Sequence, residues 1–324
     1  METHKIGFIG LGGMGRVMFA NMAGHPRFDV VAAWDPGDAS RALALELEQN
    51  LTLVDDAQAV IGDASVSVIY ISSPPTSHGG YIEAAVAAGK AVYCEKPLGV
   101  DVVASRRVAE LVAASGLPNI VNFNHGNAVS TTHIEAERAA DRIGDIAGAD
   151  AFIHLTHWPR DFQETATWLA GRTEGGFTRE MLSHWIYLTR RLLGEGRLLS
   201  AHGRFPLDGV GAETYLTAEL EFGGVPMHIK AAVGGAGPVG TTYTLWGEKR
   251  SFRLSSGGRI DASDGGAWTD ATPHIDDAGA EDHRRTLDAV AQRLDGEDNA
   301  MPTIADALAV QVLVEEILQT AAAG

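Results

Sequence analysis

The amino-acid sequence predicts an α/β fold in which an N-terminal doubly wound parallel sheet is followed by a C-terminal α+β domain with a large, mostly antiparallel open sheet. Three observations support this prediction. Apolar strands alternate with helices as far as about residue 124, a glycine-rich turn follows the first strand, and the hydrophobic period changes to two in the second half. A chain of 324 residues is long enough for about two domains. We therefore expect domains of residues 1–124 and 125–324.

The first turn of the chain has the spacing of a dinucleotide-binding loop. The apolar strand around Lys5–Ile9 opens into glycines at the G-x-G-x-x-G spacing, and a helix with apolar periodicity follows over Met14–Met22. The first glycine permits a tight turn, the second lets the backbone approach a pyrophosphate, and the third lets the helix pack on the strand. The N–H groups of the helix N-terminus face the anion. We expect this Rossmann-type loop to bind the cofactor through Gly10, Leu11, Gly12, Gly13, Met14 and Gly15.

An acidic residue follows at the distance that such a unit requires. The second apolar strand, Phe28–Trp34, ends at Asp35, twenty residues after Gly15, where a carboxylate takes the hydroxyls of the adenosine ribose. A carboxylate there repels the 2′-phosphate of NADP, so NAD is favoured, although Arg41 leaves NADP open. The alternative for Asp35 is a turn former before Pro36.

Polar residues also follow the later strands of the predicted parallel sheet. In such sheets ligands bind outside the carboxyl ends of the strands. Three segments therefore belong to the expected rim of the pocket: Ser72–Pro75, Glu95-Lys96-Pro97 and Asn124-His125.

Several helix boundaries can be predicted from capping residues. Gly89 is expected to end one helix, and the next is expected to run from an N-cap at Asp101 to Gly116. Thr132 and Glu135 have the spacing of a capping box at the start of a helix over about 131–142.

In the second half, apolar and polar residues alternate over 214–222, 225–233 and 242–246. This pattern indicates an antiparallel sheet with one buried and one solvated face. A wide sheet of this kind often packs against a partner subunit, so we expect a homodimer or homotetramer formed through the C-terminal sheet. Residues 255–280, rich in Gly, Asp and Ser, are expected to form a loop.

Composition argues against several classes of protein. A formal net charge of −17 and a pI near 5.0 argue against nucleic-acid binding and against an anionic membrane surface. There is no run of about 18 apolar residues, and the first residues do not resemble a secretory signal. Cys94 is the single cysteine and the histidines are scattered, so we expect no metal site and a cytoplasmic location.

With these features together, the chain resembles the glucose-fructose oxidoreductase / inositol dehydrogenase (Gfo/Idh/MocA) family. The resemblance rests on the Gly10–Gly15 loop, on Pro74-Pro75-Thr76-Ser77-His78 after the expected fourth strand, and on Glu95-Lys96-Pro97 after the fifth. The antiparallel second half agrees with it, so the resemblance covers nearly the whole chain. It implies that the cofactor site also includes Ser73, Pro74, His78, Glu95 and Lys96.

The resemblance implies that Lys96 is a catalytic residue. A lysine at the carboxyl end of a strand, near the nicotinamide, can hold the substrate hydroxyl and stabilise negative charge on its oxygen. A solvated surface lysine at a strand exit is the alternative.

A second catalytic pair is expected in Glu180 and His184. Residues i and i+4 share one face of a helix, and a carboxylate on one ring nitrogen would let the other nitrogen remove a hydroxyl proton. The family usually has an aspartate where this chain has Glu180, and basic residues where it has His125-Gly126-Asn127, so the resemblance implies an unusual substrate. A histidine buried beside Trp185 is the alternative for His184.

Substrate binding is expected from residues around these positions. Trp158 and Arg160, at the exit of a strand, suit the apolar face of a sugar ring and its hydroxyl or carboxylate groups, although each alone is more readily structural. The expected substrate-binding residues are Lys96, Asn124, His125, Trp158, Arg179, Glu180 and His184.

The resulting hypothesis is an NAD(P)-dependent oxidoreductase that transfers a hydride between nicotinamide and a secondary alcohol or ketone of a sugar, cyclitol or sugar-derived substrate. Two alternatives stay open. The same scaffold could reduce an imine or enone with NADPH, or the chain could be a catalytically silent sensor that binds NAD and a metabolite.

Overall fold

The computed structural model describes residues 3–48, 51–255, 258–273 and 278–323. The chain divides into two compact units. The N-terminal unit comprises residues 1–123 and 283–309, and the C-terminal unit comprises residues 124–282 and 310–324.

The N-terminal unit is built on a parallel sheet of five strands in the order β2-β1-β3-β4-β5. The motifs expected after a fourth and a fifth strand therefore follow β3 and β4. The elements of this unit are β1 (His4–Ile9), α1 (Gly13–Ala23), β2 (Phe28–Trp34), α2 (Asp38–Leu47), α3 (Ala57–Gly62), β3 (Val68–Ile71), α4 (Pro75–Ala87), β4 (Ala91–Glu95), α5 (Val102–Ser115) and β5 (Asn119–Asn122).

The C-terminal unit contains an eight-stranded sheet in the order β13-β12-β11-β10-β6-β9-β8-β7. Its pairs are antiparallel except for β6 with β9, which confirms the mixed fold class predicted from the sequence. Its elements are α6 (Val129–Ala139), β6 (Ile146–Leu155), α7 (Ser183–Leu193), β7 (Gly196–Arg204), β8 (Tyr215–Phe222), β9 (Val225–Val233), β10 (Gly240–Gly247), β11 (Ser251–Ser255), β12 (Ile260–Ser263) and β13 (Thr269–Asp270).

Two long helices complete the chain: α8 (Ala278–Leu294) and α9 (Ile304–Ala323). Leu287, Val290 and Ala291 of α8 belong to the buried apolar cluster that also contains Phe8 and Tyr70 of the parallel sheet. Residues 283–309 therefore form part of the N-terminal unit, which differs from the predicted division at 124. An amphipathic helix shows that one of its faces is buried, but not which sheet buries it.

The predicted helix boundaries at Asp101 and Gly116 agree with the structure. The Asp101 carboxylate accepts hydrogen bonds from the N–H groups of Val103 and Ala104 at 2.8 and 3.0 Å, and Gly116 has a φ of 67°. Gly89, with a φ of 71°, directly follows the C-cap of α4.

The capping box predicted at Thr132 and Glu135 is wrong. Helix α6 begins earlier, with Ala128 as its N-cap and no side-chain cap. The Thr132 hydroxyl donates back to the carbonyl of Ala128 at 3.3 Å, and Glu135 pairs with Arg191 at 2.6 Å. The S/T-x-x-E spacing thus lies inside the helix, where the same residue types make other bonds.

The alternating pattern of β8 predicted its buried face correctly, since Leu216, Ala218, Leu220 and Phe222 are all buried. The loop expected over 255–280 instead contributes β12 and β13 to the sheet. Residues 256–257 and 274–277 of that segment lie outside the described residues.

Candidate active site

The glycine turn after β1 leaves room for an anion. Gly10 has a φ of 101°, and a Cβ on it would lie 2.7 Å from the Ser72 carbonyl oxygen, so only glycine fits. A Cβ on Gly15 would lie 2.4 Å from the Gly10 oxygen. At Gly12 and Gly13, by contrast, a Cβ would meet no protein atom within 4 Å, and no side chain caps the N-terminus of α1. This open, uncapped helix end fits the pyrophosphate of a dinucleotide.

Asp35 is fixed at the end of β2 by the same turn. Its Oδ2 accepts the Leu11 N–H and its Oδ1 accepts the Gly37 N–H, both at 2.7 Å. Arg41 donates through Nη1 to the Asp35 carbonyl at 2.6 Å and pairs with Asp38 through Nη2. The buried carboxylate therefore has a fixed orientation, which fits a ribose diol and leaves Arg41 beside the same loop.

Leu11 and Met14, which were also predicted to bind the cofactor, differ in which of their atoms a ligand can reach. The Leu11 side chain is fully buried, so its backbone is the part available to a ligand, whereas the Met14 side chain is 46% exposed on the first turn of α1.

The carboxyl end of β4 is anchored by a buried polar network. Glu95 Oε1 accepts hydrogen bonds from the Tyr70 hydroxyl at 2.5 Å and from Asn122 Nδ2 at 2.7 Å. The Tyr93 hydroxyl in turn donates to Asn122 Oδ1 at 2.8 Å. Burial, and then the Glu95 charge, raise the pKa of Tyr70 well above its usual value, so this hydroxyl stays a donor. Glu95 therefore fixes the backbone from which the partly exposed Lys96 follows.

His78 joins the segments that follow β3 and β4. Its ring, on the first turn of α4, is 1% exposed. Nε2 lies 2.7 Å from the Ser73 carbonyl oxygen, and Nδ1 lies 2.9 Å from the Pro97 carbonyl oxygen. Both nitrogens can donate at once only in the protonated ring, whereas burial lowers the pKa of His78. The ring is thus committed to the backbone on either side of it, which argues against a direct contact with the cofactor.

Ser73 and Pro74 lie on this same segment. The Ser73 hydroxyl accepts a hydrogen bond from the Ser77 hydroxyl at 2.7 Å, and Pro74 is the exposed N-cap of α4. Their placement at the carboxyl end of β3 is the one predicted for cofactor binding.

In the C-terminal unit, the predicted pair Glu180 and His184 does not lie on a regular α-helix. Thr178–Leu182 form a π-helical turn that continues into α7, so Glu180 belongs to the turn and His184 to the helix. Glu213, buried at 2% exposure, accepts the Thr178 N–H at 2.7 Å and so caps the start of this turn. Burial raises the pKa of that carboxyl group.

Glu180 is oriented by residues of the preceding segment. Its Oε1 accepts a hydrogen bond from Gln163 Nε2 at 2.8 Å and lies 3.4 Å from Arg160 Nη2. Arg160 Nε also donates to Gln163 Oε1 at 2.8 Å, so the three side chains form a closed group. We name it the Arg160–Gln163–Glu180 cluster.

The His184 ring accepts a backbone hydrogen bond. The Asn124 N–H lies 3.3 Å from Nδ1, which puts the proton of the neutral ring on Nε2. In that tautomer Nε2 is a hydrogen-bond donor. To act at Nε2 as the predicted base, the ring would first have to give up this contact.

His125 lies nearby in the chain but packs into the unit. Its ring is 4.6 Å from the Trp185 ring, and its Nδ1 is buried without a hydrogen-bond partner among the described residues. Burial, and then the charge of Arg191, lower the pKa of His125 to about 4. A neutral ring stacked in this way argues against a direct role in substrate binding.

The Arg179 side chain is buried and makes all its described contacts inside the C-terminal unit. Its guanidinium makes a bidentate pair with Glu315 of α9 at 2.7 and 2.8 Å and donates to the carbonyls of Arg172 and Gly175. Both charged side chains are 8% exposed. This placement argues against the predicted contact of Arg179 with substrate.

Trp158 stands at the exit of β6 as predicted. Its Nε1 donates to the Leu169 carbonyl at 2.8 Å, and its ring lies 5.8 Å from the Arg160 guanidinium carbon. The indole is therefore held in place beside the Arg160–Gln163–Glu180 cluster.

In the described ranges no cluster of three or more His, Cys, Asp or Glu side chains could hold a metal ion, and no helix there is long and apolar enough to cross a bilayer.

Comparison with known proteins decides the family. Residues 4–123 match the oxidoreductase family with an NAD-binding Rossmann fold, and residues 133–253 match the Gfo/Idh/MocA C-terminal domain. The chain belongs to the Gfo/Idh/MocA family. Its N-terminal unit is therefore an NAD-binding Rossmann domain, as its loop geometry indicates.

Two curated members of the Gfo/Idh/MocA family match the chain at 28–29% sequence identity over part of its length. The chain is 29% identical to inositol 2-dehydrogenase of Paracoccus denitrificans over 157 residues, which are 48% of this chain and 46% of that protein. It is 28% identical to levoglucosan dehydrogenase of Pseudarthrobacter phenanthrenivorans over 220 residues, which are 62% and 54% of the two chains. The chain thus spans about half the length of the curated relatives it matches.

Two solved structures share the fold over nearly the whole chain. A putative myo-inositol dehydrogenase from Sinorhizobium meliloti superposes with a TM-score of 0.81 at 20% identity, covering 99% of this chain and 98% of the other. An oxidoreductase from Agrobacterium radiobacter, in complex with NAD+, L-tartaric acid and magnesium, gives 0.84 at 17%, covering 98% and 96%. At these identities the likeness shows the fold alone.

Two residues that contact the turn carrying Glu180 were not predicted from the sequence. Gln163 orients Glu180 and Glu213 caps the turn that carries it, yet neither belongs to a motif. Gln163 lies 17 residues before Glu180, and Glu213 lies 35 residues after Thr178. No local spacing signals such contacts.

Proposed function

We propose that this protein is an NAD-dependent oxidoreductase of a secondary alcohol or ketone in a sugar, cyclitol or sugar-derived molecule. The observation that carries the proposal is in the N-terminal unit. There the open N-terminus of α1, the fixed Asp35 carboxylate and the anchored Glu95-Lys96 backbone all occur at the carboxyl ends of the parallel strands. In such sheets the carboxyl edge binds the ligand.

Bound NAD would accept the hydride of the carbinol carbon, and the protein supplies orientation and proton transfer. We propose that the Lys96 amine binds the substrate hydroxyl and takes up its proton as the hydride leaves the carbinol carbon, and returns that proton in the reverse reaction. We propose that His184, with Nε2 protonated, donates a hydrogen bond to a substrate oxygen. Glu180, through its fixed carboxylate, accepts a hydrogen bond from a further hydroxyl group.

The preference for NAD over NADP rests on Asp35. Its carboxylate is buried with both oxygens bonded to backbone N–H groups, so it is fixed beside the proposed ribose position, where a carboxylate repels a 2′-phosphate. Arg41 is held by Asp38 and by the Asp35 carbonyl. NADP is therefore expected as the weaker cofactor.

We also propose that the chain forms a homo-oligomer through the solvated face of the C-terminal sheet. Phe152 of β6 and Trp246 of β10 are 42% and 41% exposed on that face, which supports a protein partner there. The cytoplasmic location expected from composition stays a prediction.

The test is NADH formation by the purified protein across inositols, aldoses, sugar acids and anhydrosugars, with NADP in parallel. Replacing Lys96 by Met should lower kcat about 100-fold or more while NADH still binds. The control is Lys5→Met, since Lys5 is exposed on β1 at the opposite end of the sheet.

The other outcomes point elsewhere. Turnover of imines or enones with NADPH, and of no alcohol, would replace the proposal by a reductase. Tight NADH binding without turnover of any compound would make the chain a sensor. A Lys96→Met variant with unchanged kcat would remove Lys96 from the reaction.

A further inference from the structure

Arg160 has an unused hydrogen-bonding edge in the segment after β6. Its guanidinium makes two hydrogen bonds, through Nε to Gln163 Oε1 at 2.8 Å and through Nη2 to Glu180 Oε1 at 3.4 Å. Within the described residues, Nη1 has no hydrogen-bond partner. One N–H of Nη2 and the N–H groups of Nη1 therefore form a free edge.

This edge is held in a fixed plane. The guanidinium carbon lies 4.6 Å from the centre of the Phe162 ring and 5.8 Å from that of Trp158. The Gln163 contact fixes the opposite edge, and Trp158 is itself held by the Leu169 carbonyl. An arginine restrained in this way loses little further entropy when a ligand binds to it.

The charge of Arg160 is only partly balanced. Its side chain is 29% exposed, so a ligand can reach it, yet it is desolvated enough that burial lowers the pKa of the guanidinium. The Glu180 oxygen at 3.4 Å is a single, long contact, unlike the bidentate pair of Arg179 with Glu315. A partly desolvated cation with a weak partner favours an anionic ligand.

We infer that Arg160 binds a carboxylate of the substrate, so that the protein acts on a sugar acid rather than on a neutral polyol. The two parallel N–H directions of a guanidinium edge match the two oxygens of a carboxylate. A phosphate dianion would place two negative charges beside Glu180, whereas a carboxylate adds one. The inference rests on the proposed function for the reaction and adds the class of substrate.

The experiment compares matched substrates: D-glucuronate with D-glucose and D-galactonate with D-galactose, with D-glucose 6-phosphate as the other anion. For at least one pair, the wild type should have a kcat/KM at least about tenfold higher for the acid. Arg160→Gln should lower that value by about 10- to 100-fold and change kcat/KM for the neutral sugar less than threefold. Arg160→Lys keeps the charge without the fork and should recover part of the loss.

The matched control is Arg197→Gln. Arg197 also pairs with a glutamate, Glu221, but on the exposed sheet surface, and its loss should leave kcat/KM unchanged for every compound. Equal losses on acid and neutral sugar in Arg160→Gln would overturn the inference, because Arg160 would then act only by orienting Glu180. A wild-type preference for the neutral sugar or the phosphate would also overturn it.

Binding separates this inference from the proposed function. Titration of the NADH-loaded protein with D-glucuronate and D-galactonate should give a calorimetric signal that Arg160→Gln loses and Arg197→Gln keeps. Such binding without turnover would support the carboxylate site and contradict the oxidoreductase. Turnover of neutral sugars with no binding of either acid would contradict the carboxylate site alone.

Discussion

The two units present their functional groups in different ways. In the N-terminal unit the cofactor loop is made of backbone, and its form follows from glycines that nothing else can replace at Gly10 and Gly15. In the C-terminal unit the proposed substrate site instead consists of side chains, since Arg160, Gln163 and Glu180 meet across an irregular segment and a π-helical turn. A site made of backbone can be predicted from the spacing of glycines in the sequence, whereas a cluster of side chains depends on how the loops between elements fold.

The largest expected effect tests the side chains of the C-terminal unit. His184→Leu removes the ring that accepts the Asn124 N–H and should lower kcat by about 100-fold. His184→Asn keeps a donor, and if Nε2 acts as a donor it should recover at least a tenth of wild-type kcat. Steady-state kinetics on the substrate found in the panel measures both. Equal loss in the two variants would show that the ring acts as a base.

The glycine loop of the N-terminal unit is tested by a substitution that should leave the fold intact. A side chain on Gly12 meets no protein atom within 4 Å of Cβ, so Gly12→Val should keep Tm within about 2 °C of wild type. The same side chain occupies the space proposed for the pyrophosphate, so Kd for NADH should rise about 10- to 100-fold. Fluorescence titration with NADH is the measurement.

Its matched control is Gly80→Ala, an open and exposed glycine in α4, which should leave NADH affinity unchanged. Normal NADH binding by Gly12→Val would mean that the loop does not hold the pyrophosphate, and the contrast between the two units would fail.

A smaller effect is expected where a side chain supports the backbone site. His78→Gln removes the ring that lies between the Ser73 and Pro97 carbonyls and should lower kcat about tenfold through misplacement of Lys96, with KM for NAD unchanged. The control is His25→Gln, because His25 is also buried in this unit but pairs with Asp288. If both variants lose stability alike and neither loses kcat, His78 has a structural role alone.

The smallest effect concerns pH. The pKa of His125 in the fold is about 4, below its usual 6.5, so folding favours the neutral ring. The stability from this group is therefore present above pH 6.5 and is lost as pH falls from there to about 4, by about 2 kcal/mol at pH 5. Urea unfolding at pH 7.5 and pH 5 should show this loss in the wild type and not in His125→Asn.

The exposed His157, paired with Asp161, gives the control for that experiment: His157→Asn should keep the wild-type pH dependence. An unchanged pH dependence in His125→Asn would mean that its ring titrates normally.

The same contrast explains what could be predicted from the sequence. The fold class, the glycine loop, Asp35 and the caps at Asp101 and Gly116 follow from regular patterns along the chain, namely the alternation of strands and helices, the spacing of the motif and the capping residues. The return of α8 to the N-terminal unit, the ion pair of Arg179 with Glu315 and the contact of Gln163 with Glu180 depend on tertiary packing. His78 and His125 were expected to contact ligands because they belong to or follow a motif, but their rings pack against backbone and Trp185.

The central claim is hydride transfer to NAD by this chain. The most direct measurement uses the substrate found in the panel, deuterated at its carbinol carbon, with NAD and the purified protein, followed by mass spectrometry of the cofactor. We expect one deuterium in the NADH formed by the wild type, at a rate about 100-fold lower in Lys96→Met. NADH that carries no deuterium, or no NADH at all, would contradict the claim.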